Sequence, residues 1–121
     1  MRKVLLVEDE SLVAMLAADS LNELGYDVVE AGSARAALEQ LSANEHHFSF
    51  AVVDIGLPDR PGEELAAEMK KLRPQLPIII ASGYGEQELR SRFKFDESLV
   101  FLSKPYQLAS LEAAIGALGI P

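Results

Sequence analysis

Five short apolar runs, several of them rich in Val and Ile, alternate along the chain with longer segments in which apolar residues recur at helical spacing. Runs this short predict buried strands, and the longer segments predict helices with one apolar face. Strict alternation of strand and helix is typical of a parallel sheet that is covered by helices. The predicted strands are 3–7, 26–30, 49–53, 77–81 and 99–102.

The handedness of strand–helix–strand crossovers leaves few ways to arrange five such units. The strand order 2-1-3-4-5 places the most apolar runs inside the sheet and the mixed second run at an edge. The sequence therefore predicts an α/β fold of the flavodoxin-like type, a doubly wound, five-stranded parallel sheet with five helices. In such sheets ligands bind beyond the carboxyl ends of the strands.

Capping residues and apolar periodicity set the expected helix ends and faces. Ser11 and Ser33 are expected to cap the first two helices, Gly25 to end the first, and Pro74 to lie just beyond the third. The fourth helix is expected around 86–93, and Met15 is assigned to the core. The residues expected to face the sheet are Val13, Leu16, Ala17, Leu21 and Leu24, then Ala34, Ala37, Leu38 and Leu41, then Leu65, Met69 and Leu72, and finally Leu108, Leu111, Ile115 and Leu118.

The amino-acid composition limits the classes of function that the chain can have. The 121 residues carry 19 Asp and Glu against 11 Lys and Arg, for a net charge of −8, and include no Cys. The acidic excess disfavours direct binding to nucleic acid or to an anionic membrane surface, and the absence of Cys excludes disulfides. No stretch reaches the length of a membrane span, so we expect a cytoplasmic protein. One domain is expected to fill residues 1–121 with no effector domain in this chain, either as a stand-alone protein or as part of a longer regulator.

Polar residues follow four of the predicted strands. Glu8 and Asp9 come after the first, Asp54 ends the third, Ser82 follows the fourth and Lys104 follows the fifth. Each alone fits a helix cap or a solvated turn, but together they converge on one edge of the sheet. Gathered carboxylates repel one another unless a cation neutralises them, and oxygen donors favour Mg²⁺, or Mn²⁺, over zinc.

Two histidines offer a different phosphorylation or metal chemistry. His46 and His47 lie in the polar stretch 44–47, between the second helix and the third strand. We interpret them as part of a solvated loop that is remote from the acidic cluster.

The motifs at the strand ends resemble those of the receiver domain of two-component response regulators, and the likeness runs from residue 4 to about 118. They are Glu8-Asp9 after an apolar strand, Asp54 with Leu57-Pro58 and Gly62 behind it, Ala81-Ser82-Gly83, and Phe101-Leu102-Ser103-Lys104-Pro105-Tyr106. Ser82 stands where Thr is more frequent in that family.

The resemblance implies a role for each acidic residue of the cluster. Asp54 would be the phosphoacceptor, and a Mg²⁺ ion would be held by Asp54, by Asp9 directly, by Glu8 through water and by the backbone carbonyl of Gly56. The implied function is a signalling switch that accepts a phosphoryl group on Asp54 rather than an enzyme with a separate substrate.

The resemblance also assigns the remaining site residues. Ser82 and Lys104 would contact the phosphoryl group, and Phe101 would be an aromatic switch, although its place in an apolar strand equally fits a plain core residue. Gly56 and Tyr84 would flank the pocket mouth and control the access of water. The output surface would be the fourth helix, fifth strand and fifth helix.

The implied partners are a sensor histidine kinase or a histidine phosphotransfer protein, and a downstream protein target or a missing effector domain. The exposed acids Glu10, Asp19 and Glu23 of the first helix either guide a kinase or form a solvated face. Two other functions stay open. A phosphatase or phosphotransferase would need a second acid at Gly56. A flavin-binding relative would need a phosphate loop rich in Gly, Ser or Thr after the first strand, and a non-phosphorylated interaction module typically loses one of the acidic or lysine positions, all of which are present here.

Overall fold

The computed structural model describes residues 2–43, 47–83, 86–93, 99–104 and 107–119. The strands are β1 (Arg2–Val7), β2 (Tyr26–Ala31), β3 (Phe48–Asp54), β4 (Ile78–Ser82) and β5 (Val100–Ser103). The helices are α1 (Ser11–Glu23), α2 (Ala34–Ser42), α3 (Gly62–Leu72), α4 (Glu86–Arg92) and α5 (Leu108–Ala117). Among these helices none has the length and apolar character needed to span a bilayer.

All strand pairs are parallel, and the sheet order is β2-β1-β3-β4-β5. The predicted fold class and strand order are therefore confirmed, with the mixed strand β2 at an edge. Alternate residues of the inner strands serve two separate cores. Leu5 and Val7 pack on the side of α2, α3 and α4, whereas Val4 and Leu6 pack on the side of α1 and α5. Covering on both faces explains why the inner strands carry runs of consecutive apolar residues.

The helix ends agree with the sequence prediction at Ser33, Gly25 and Pro74, which lies just beyond α3, and differ at Ser11. The Ser33 hydroxyl accepts a hydrogen bond from the Ala36 N–H at 3.1 Å, and Gly25 adopts φ = +96° just after α1. The prediction that Ser11 caps α1 is wrong, since Ser11 is the first helical residue and Glu10 occupies the cap position without a side-chain bond. The turn out of β1 is short, so the helix begins one residue earlier than the capping preference indicates.

The face that α1 turns to the sheet agrees with the prediction at Ala17 and Leu21 and differs at other positions. Ala14, Ala17, Ala18 and Leu21 are its buried residues. Met15 and Leu16, which the sequence assigns to the core, are 53% and 58% exposed. Small alanines let the helix approach the sheet closely, and the helical rotation then carries the larger side chains outward. Leu72 at the end of α3 was likewise predicted to face inward and is exposed.

Some predicted features lie outside the described residues. These include Tyr84, His46 and the last two residues of the final motif, Pro105 and Tyr106. His47 is described and is exposed, in keeping with a solvated loop.

Candidate functional site

The polar residues predicted at the strand ends meet at the carboxyl edge of the sheet. Glu8 follows β1, Asp54 and Ser82 are the last residues of β3 and β4, and Lys104 follows β5. Asp54 is aligned with Ala81, next to Ser82, and the Lys104 backbone N–H donates to the Ser82 carbonyl at 2.7 Å. Parallel pairing thus gathers residues from four strands into one cluster.

Three carboxylates form the acidic part of this cluster. One oxygen from each of Glu8, Asp9 and Asp54 lies within 4.8 Å of the others. Glu8 and Asp54 are each only 5% exposed, whereas Asp9 is exposed. Hard oxygen donors at this spacing have the chemistry of a divalent cation site that opens to solvent on the side of Asp9.

Lys104 supplies the positive charge of the cluster. Its Nζ lies 3.1 Å from Glu8 Oε1 and 3.3 Å from Asp54 Oδ1, while the exposed Glu10 carboxylate is 4.0 Å away. The Lys104 side chain is mostly buried. One ammonium group therefore partly neutralises two buried carboxylates and leaves the cluster net negative.

Burial raises the pKa of Glu8 to about 7, and the neighbouring Asp54 adds to the rise while the hydrogen bond from Lys104 opposes it. Burial disfavours the charged form of Lys104, but its bond to Glu8 and the charge of Asp54 outweigh burial and raise the pKa of Lys104. At neutral pH the cluster therefore holds a proton on Glu8 for part of the time. A bound divalent cation would displace that proton.

The loop after β3 begins at the cluster. The Gly56 N–H donates to Asp54 Oδ1 at 3.2 Å, and the Ile55 N–H donates to the Ala81 carbonyl at 3.2 Å. Gly62 closes the loop against its own beginning, because a Cβ atom built on Gly62 would lie 2.6 Å from Ile55 Cα. Only glycine permits this approach, so the residue next to Asp54 is positioned by the absence of a side chain at Gly62.

Gly62→Ala is expected to lower the free energy of unfolding by about 1–3 kcal/mol, because the new methyl group must displace the Ile55 backbone. Urea unfolding measures the change. Gly116→Ala is the matched control, since Gly116 lies within α5 with no heavy atom within 4 Å of its added Cβ. That control is expected to stabilise the chain by up to about 1 kcal/mol. Equal stability of Gly62→Ala and wild type would contradict the close approach.

Phe101 lies on β5, half-buried beside α4. Its ring packs edge-on against Phe93 with the centroids 5.8 Å apart, and the Arg90 guanidinium lies 5.1 Å from the Phe101 ring centroid. The ring is thus held between the core and the surface of α4. Ser82, by contrast, is 1% exposed.

Sequence reasoning missed several contacts that fix the surroundings of the site. The Asp59 carboxylate accepts hydrogen bonds from the Ala34 and Arg35 N–H groups at the start of α2, at 3.0 and 3.1 Å. Arg92 of α4 forms a two-pronged ion pair with Glu63 of α3, at 2.7 and 2.9 Å. The partners are 24 to 29 residues apart in sequence, so no local motif signals them.

Comparison with known proteins agrees with this geometry. The family model for the response regulator receiver domain matches residues 4–116. The chain is 35% identical over 112 residues to the sensor kinase CckA of Brucella abortus, a match that covers 93% of this chain and 12% of the kinase. It is 33% identical over 115 residues to the transcriptional regulatory protein PdtaR of Mycobacterium tuberculosis, covering 94% of this chain and 55% of that protein.

The solved structures give the same result. A response regulator receiver domain protein from Clostridium thermocellum superposes with a TM-score of 0.85 at 26% identity, covering 98% of this chain and 95% of that one. The family model, which spans nearly the whole chain, and this shared fold agree. The chain therefore belongs to the response regulator receiver domains, the phosphorylation-operated switches of two-component signalling.

Proposed function

We propose that the phosphoryl group is accepted on Asp54, in a Mg²⁺-dependent reaction, from a sensor histidine kinase or a histidine phosphotransfer protein in the cytoplasm. The observation that carries the proposal is the position of the Asp54 carboxylate. It is buried at the end of β3, 3.3 Å from the Lys104 ammonium group and next to Glu8 and Asp9. The chemistry is limited to phosphorylation and dephosphorylation of the chain itself.

Asp54 is the proposed nucleophile. A carboxylate oxygen of Asp54 attacks the phosphorus of the donor, an O–P bond forms, and the P–N bond of a phosphohistidine breaks. The electron pair of that bond leaves with the imidazole of the donor. The product is an aspartyl phosphate, which carries more negative charge than the carboxylate it replaces and so depends on neighbouring cations.

The proposed Mg²⁺ ligands are the side chains of Glu8, Asp9 and Asp54 and the backbone carbonyl of Gly56, with Glu8 acting through water. The fit rests on the three carboxylate oxygens within 4.8 Å of one another. Mn²⁺ is an acceptable substitute, because it takes the same hard oxygen ligands. When bound, the ion neutralises the charge that develops on the transferring phosphoryl oxygens.

Lys104 and Ser82 are the proposed contacts of the phosphoryl group. The Lys104 ammonium already lies 3.3 Å from an Asp54 oxygen, so it is placed to pair with a phosphoryl oxygen there. Ser82 ends the neighbouring strand and offers a hydroxyl donor. Movement of Ser82 toward the phosphoryl group would shift the loop after β4.

Phe101 is the proposed link to the output surface, formed by α4, β5 and α5. The half-buried ring touches both Phe93 in the core and Arg90 on α4. A rotation of the ring inward would change the surface that a downstream target or an effector domain contacts. Gly56 and Tyr84 are proposed to control the access of water to the aspartyl phosphate.

The proposal is tested by intact-protein mass spectrometry after incubation with acetyl phosphate. We expect the gain of one phosphoryl group with Mg²⁺ or Mn²⁺ and no gain with EDTA. Equal uptake in EDTA would contradict the metal requirement. No uptake from acetyl phosphate or from candidate kinases would contradict the function as a whole.

An exposed apolar face on α1 supports docking of a protein phosphodonor. Leu12, Met15 and Leu16 are 64%, 53% and 58% exposed and lie at spacings of three and four residues, which place them on one side of the helix. α1 starts at Ser11, directly after the acidic residues of the cluster. A helix docked along this face would therefore reach the rim where Asp54 lies.

The triple variant Leu12→Gln, Met15→Gln, Leu16→Gln is expected to slow phosphoryl transfer from a protein donor by about tenfold or more, because apolar contact area is lost. Uptake from acetyl phosphate should be unchanged, since the small donor needs no docking face. The rates of phosphoryl transfer from both donors are measured by quenching the reactions at a series of times. Leu72→Gln, at an exposed apolar residue of α3, is the control. Equal slowing with both donors would argue against a docking role.

A further inference from the structure

The loop that joins β3 to α3, residues 55–61, carries the proposed metal ligand Gly56 and is held at both ends. At its beginning, the Ile55 N–H is bonded to the Ala81 carbonyl, and the Gly56 N–H to Asp54. At its end, Arg60 lies 3.0 Å from Glu68 of α3. Between these anchors Asp59 reaches across to a different helix.

Asp59 completes the N-terminus of α2. The first three N–H groups of that helix have no helical carbonyl to bond. Asp59 Oδ1 accepts from Ala34 at 3.0 Å, Asp59 Oδ2 accepts from Arg35 at 3.1 Å, and the Ser33 hydroxyl accepts from Ala36. The first bond within the helix then runs from the Ala37 N–H to the Ser33 carbonyl. Two side chains from different parts of the chain thus share one cap.

The two bonds differ from an ordinary cap because they tie together segments that are 24 and 25 residues apart. Both carboxylate oxygens are used, and the positive end of the helix dipole favours their charge. The bonds from Ala34 and then Arg35 hold the pKa of Asp59 below its usual range. The carboxylate therefore stays charged, and the tie stays intact, across the neutral pH range.

We propose that Asp59 is a positioning residue for the metal site, because its paired bonds to the start of α2 hold in place the loop that presents the Gly56 carbonyl. The inference rests on the proposed function, in which Gly56 is a metal ligand. Mg²⁺ demands nearly ideal octahedral geometry with oxygens at about 2.1 Å, so a ligand on an untethered loop binds it less well. Asp59 lies three residues after Gly56, and its carboxylate contacts the start of α2 and is not part of the carboxylate cluster of Glu8, Asp9 and Asp54.

The competing explanation is that Asp59 serves α2 alone, as a helix cap with no influence on the cluster. Ser33 provides the matched comparison. It caps the same helix end through Ala36 but belongs to the segment before α2, not to the loop after β3. Ser33→Ala and Asp59→Ala therefore both weaken the cap, and only Asp59→Ala removes the tie between the loop and α2.

The experiment is calorimetric titration of wild type, Asp59→Ala and Ser33→Ala with Mg²⁺, at a temperature where circular dichroism finds all three folded. We expect the Kd for Mg²⁺ to rise about tenfold in Asp59→Ala, as it does when other indirect supports of a metal site are removed. Ser33→Ala should lower the urea midpoint but leave that Kd unchanged. The Kd of Asp59→Asn, which keeps one acceptor oxygen, should lie between the values of Asp59→Ala and wild type. Asp59→Asn replaces Asp59→Ala in the experiment if Asp59→Ala does not fold.

The kinetics of phosphoryl uptake provide a second measurement, which a loss of stability alone would not change. In Asp59→Ala, a higher Mg²⁺ concentration should be required for the half-maximal rate of phosphoryl uptake from acetyl phosphate. The rate at saturating Mg²⁺ should equal that of wild type. Identical Kd values in Asp59→Ala and wild type, or an equal rise in Ser33→Ala, would overturn the inference while the proposed function stands. A wild-type chain that binds no Mg²⁺ would overturn both.

Discussion

Replacing Asp54 with asparagine is expected to abolish phosphoryl uptake from acetyl phosphate. The amide is nearly the same size as the carboxylate, so the end of β3 should keep its packing. It lacks the anionic oxygen that attacks phosphorus and gives an acyl phosphate. The measurement is the intact mass of the variant after incubation in saturating Mg²⁺, in which we expect no phosphorylated species under conditions that fully label wild type.

Asp27→Asn is the matched control for the loss of an aspartate, because Asp27 lies exposed on β2, away from the carboxyl edge of the sheet. It should take up the phosphoryl group as wild type does. Labelling of Asp54→Asn would place the nucleophile elsewhere. Peptide mapping would then distinguish Glu8, Asp9 and Ser82, neighbouring groups that could form an acyl phosphate or a phosphate ester.

The fold could be predicted because each strand and helix carries its own local signal. Inner strands such as β4 are apolar up to their last residue, since both faces are covered, and the amphipathic helices between them leave few possible windings. The site followed from the same logic. Glu8, Asp54, Ser82 and Lys104 each come at the end of a strand, and parallel strands bring those ends together.

The unpredicted features depend on tertiary packing. Hydrophobicity favoured Leu16 for the buried face of α1, but close approach to the sheet selects small residues such as Ala14 and Ala18 instead. The contact of Asp59 with α2 joins residues that are 24 and 25 positions apart, and nothing in the sequence near Asp59 indicates its partner. Local sequence patterns specify the helices and strands. The buried face of α1 and the contact of Asp59 with α2 depend instead on how these helices and strands pack together.

The adjacent acids Glu8 and Asp9 illustrate the same limit inside the site. The sequence presents them as equals, yet Glu8 is buried against Lys104 and Asp9 is exposed. Which of two neighbouring side chains points inward depends on where β1 ends relative to β3, and a periodicity of two residues cannot specify that at a strand terminus. Burial is the main cause of the raised pKa of Glu8.

Lys104→Met is expected to destabilise the metal-free protein and to have a large effect on phosphoryl uptake. The ammonium group is the positive partner of both Glu8 and Asp54, at 3.1 and 3.3 Å. Its loss leaves two buried carboxylates together, which should cost about 2 kcal/mol of unfolding free energy at pH 8, less than for a fully buried pair because Glu8 takes up a proton. Uptake from acetyl phosphate should fall about 100-fold with the lost charge stabilisation.

The pH dependence of this loss has a definite sign. The pKa of Glu8 in the folded chain is about 7 against an ordinary 4.5, so the folded state binds a proton more tightly than the unfolded state. That contribution to stability is fully present below about pH 4.5 and is lost as the pH rises through 7. Without Lys104 the pKa of Glu8 rises further, so the deficit of the variant should grow between pH 6 and 8. Added Mg²⁺ should reduce the deficit by supplying another cation.

Lys71→Met separates the loss of this ammonium from the loss of any lysine, because Lys71 is exposed on α3. Its unfolding free energy should stay within about 0.5 kcal/mol of wild type, and its uptake should be unchanged. Lys104→Arg keeps the charge but not the shape, so it should recover more of the stability than of the uptake rate. If Lys104→Met were as stable as wild type at pH 8, solvent would already screen the carboxylates. If its uptake were normal, neutralisation of the phosphoryl group would have to come from the metal ion alone.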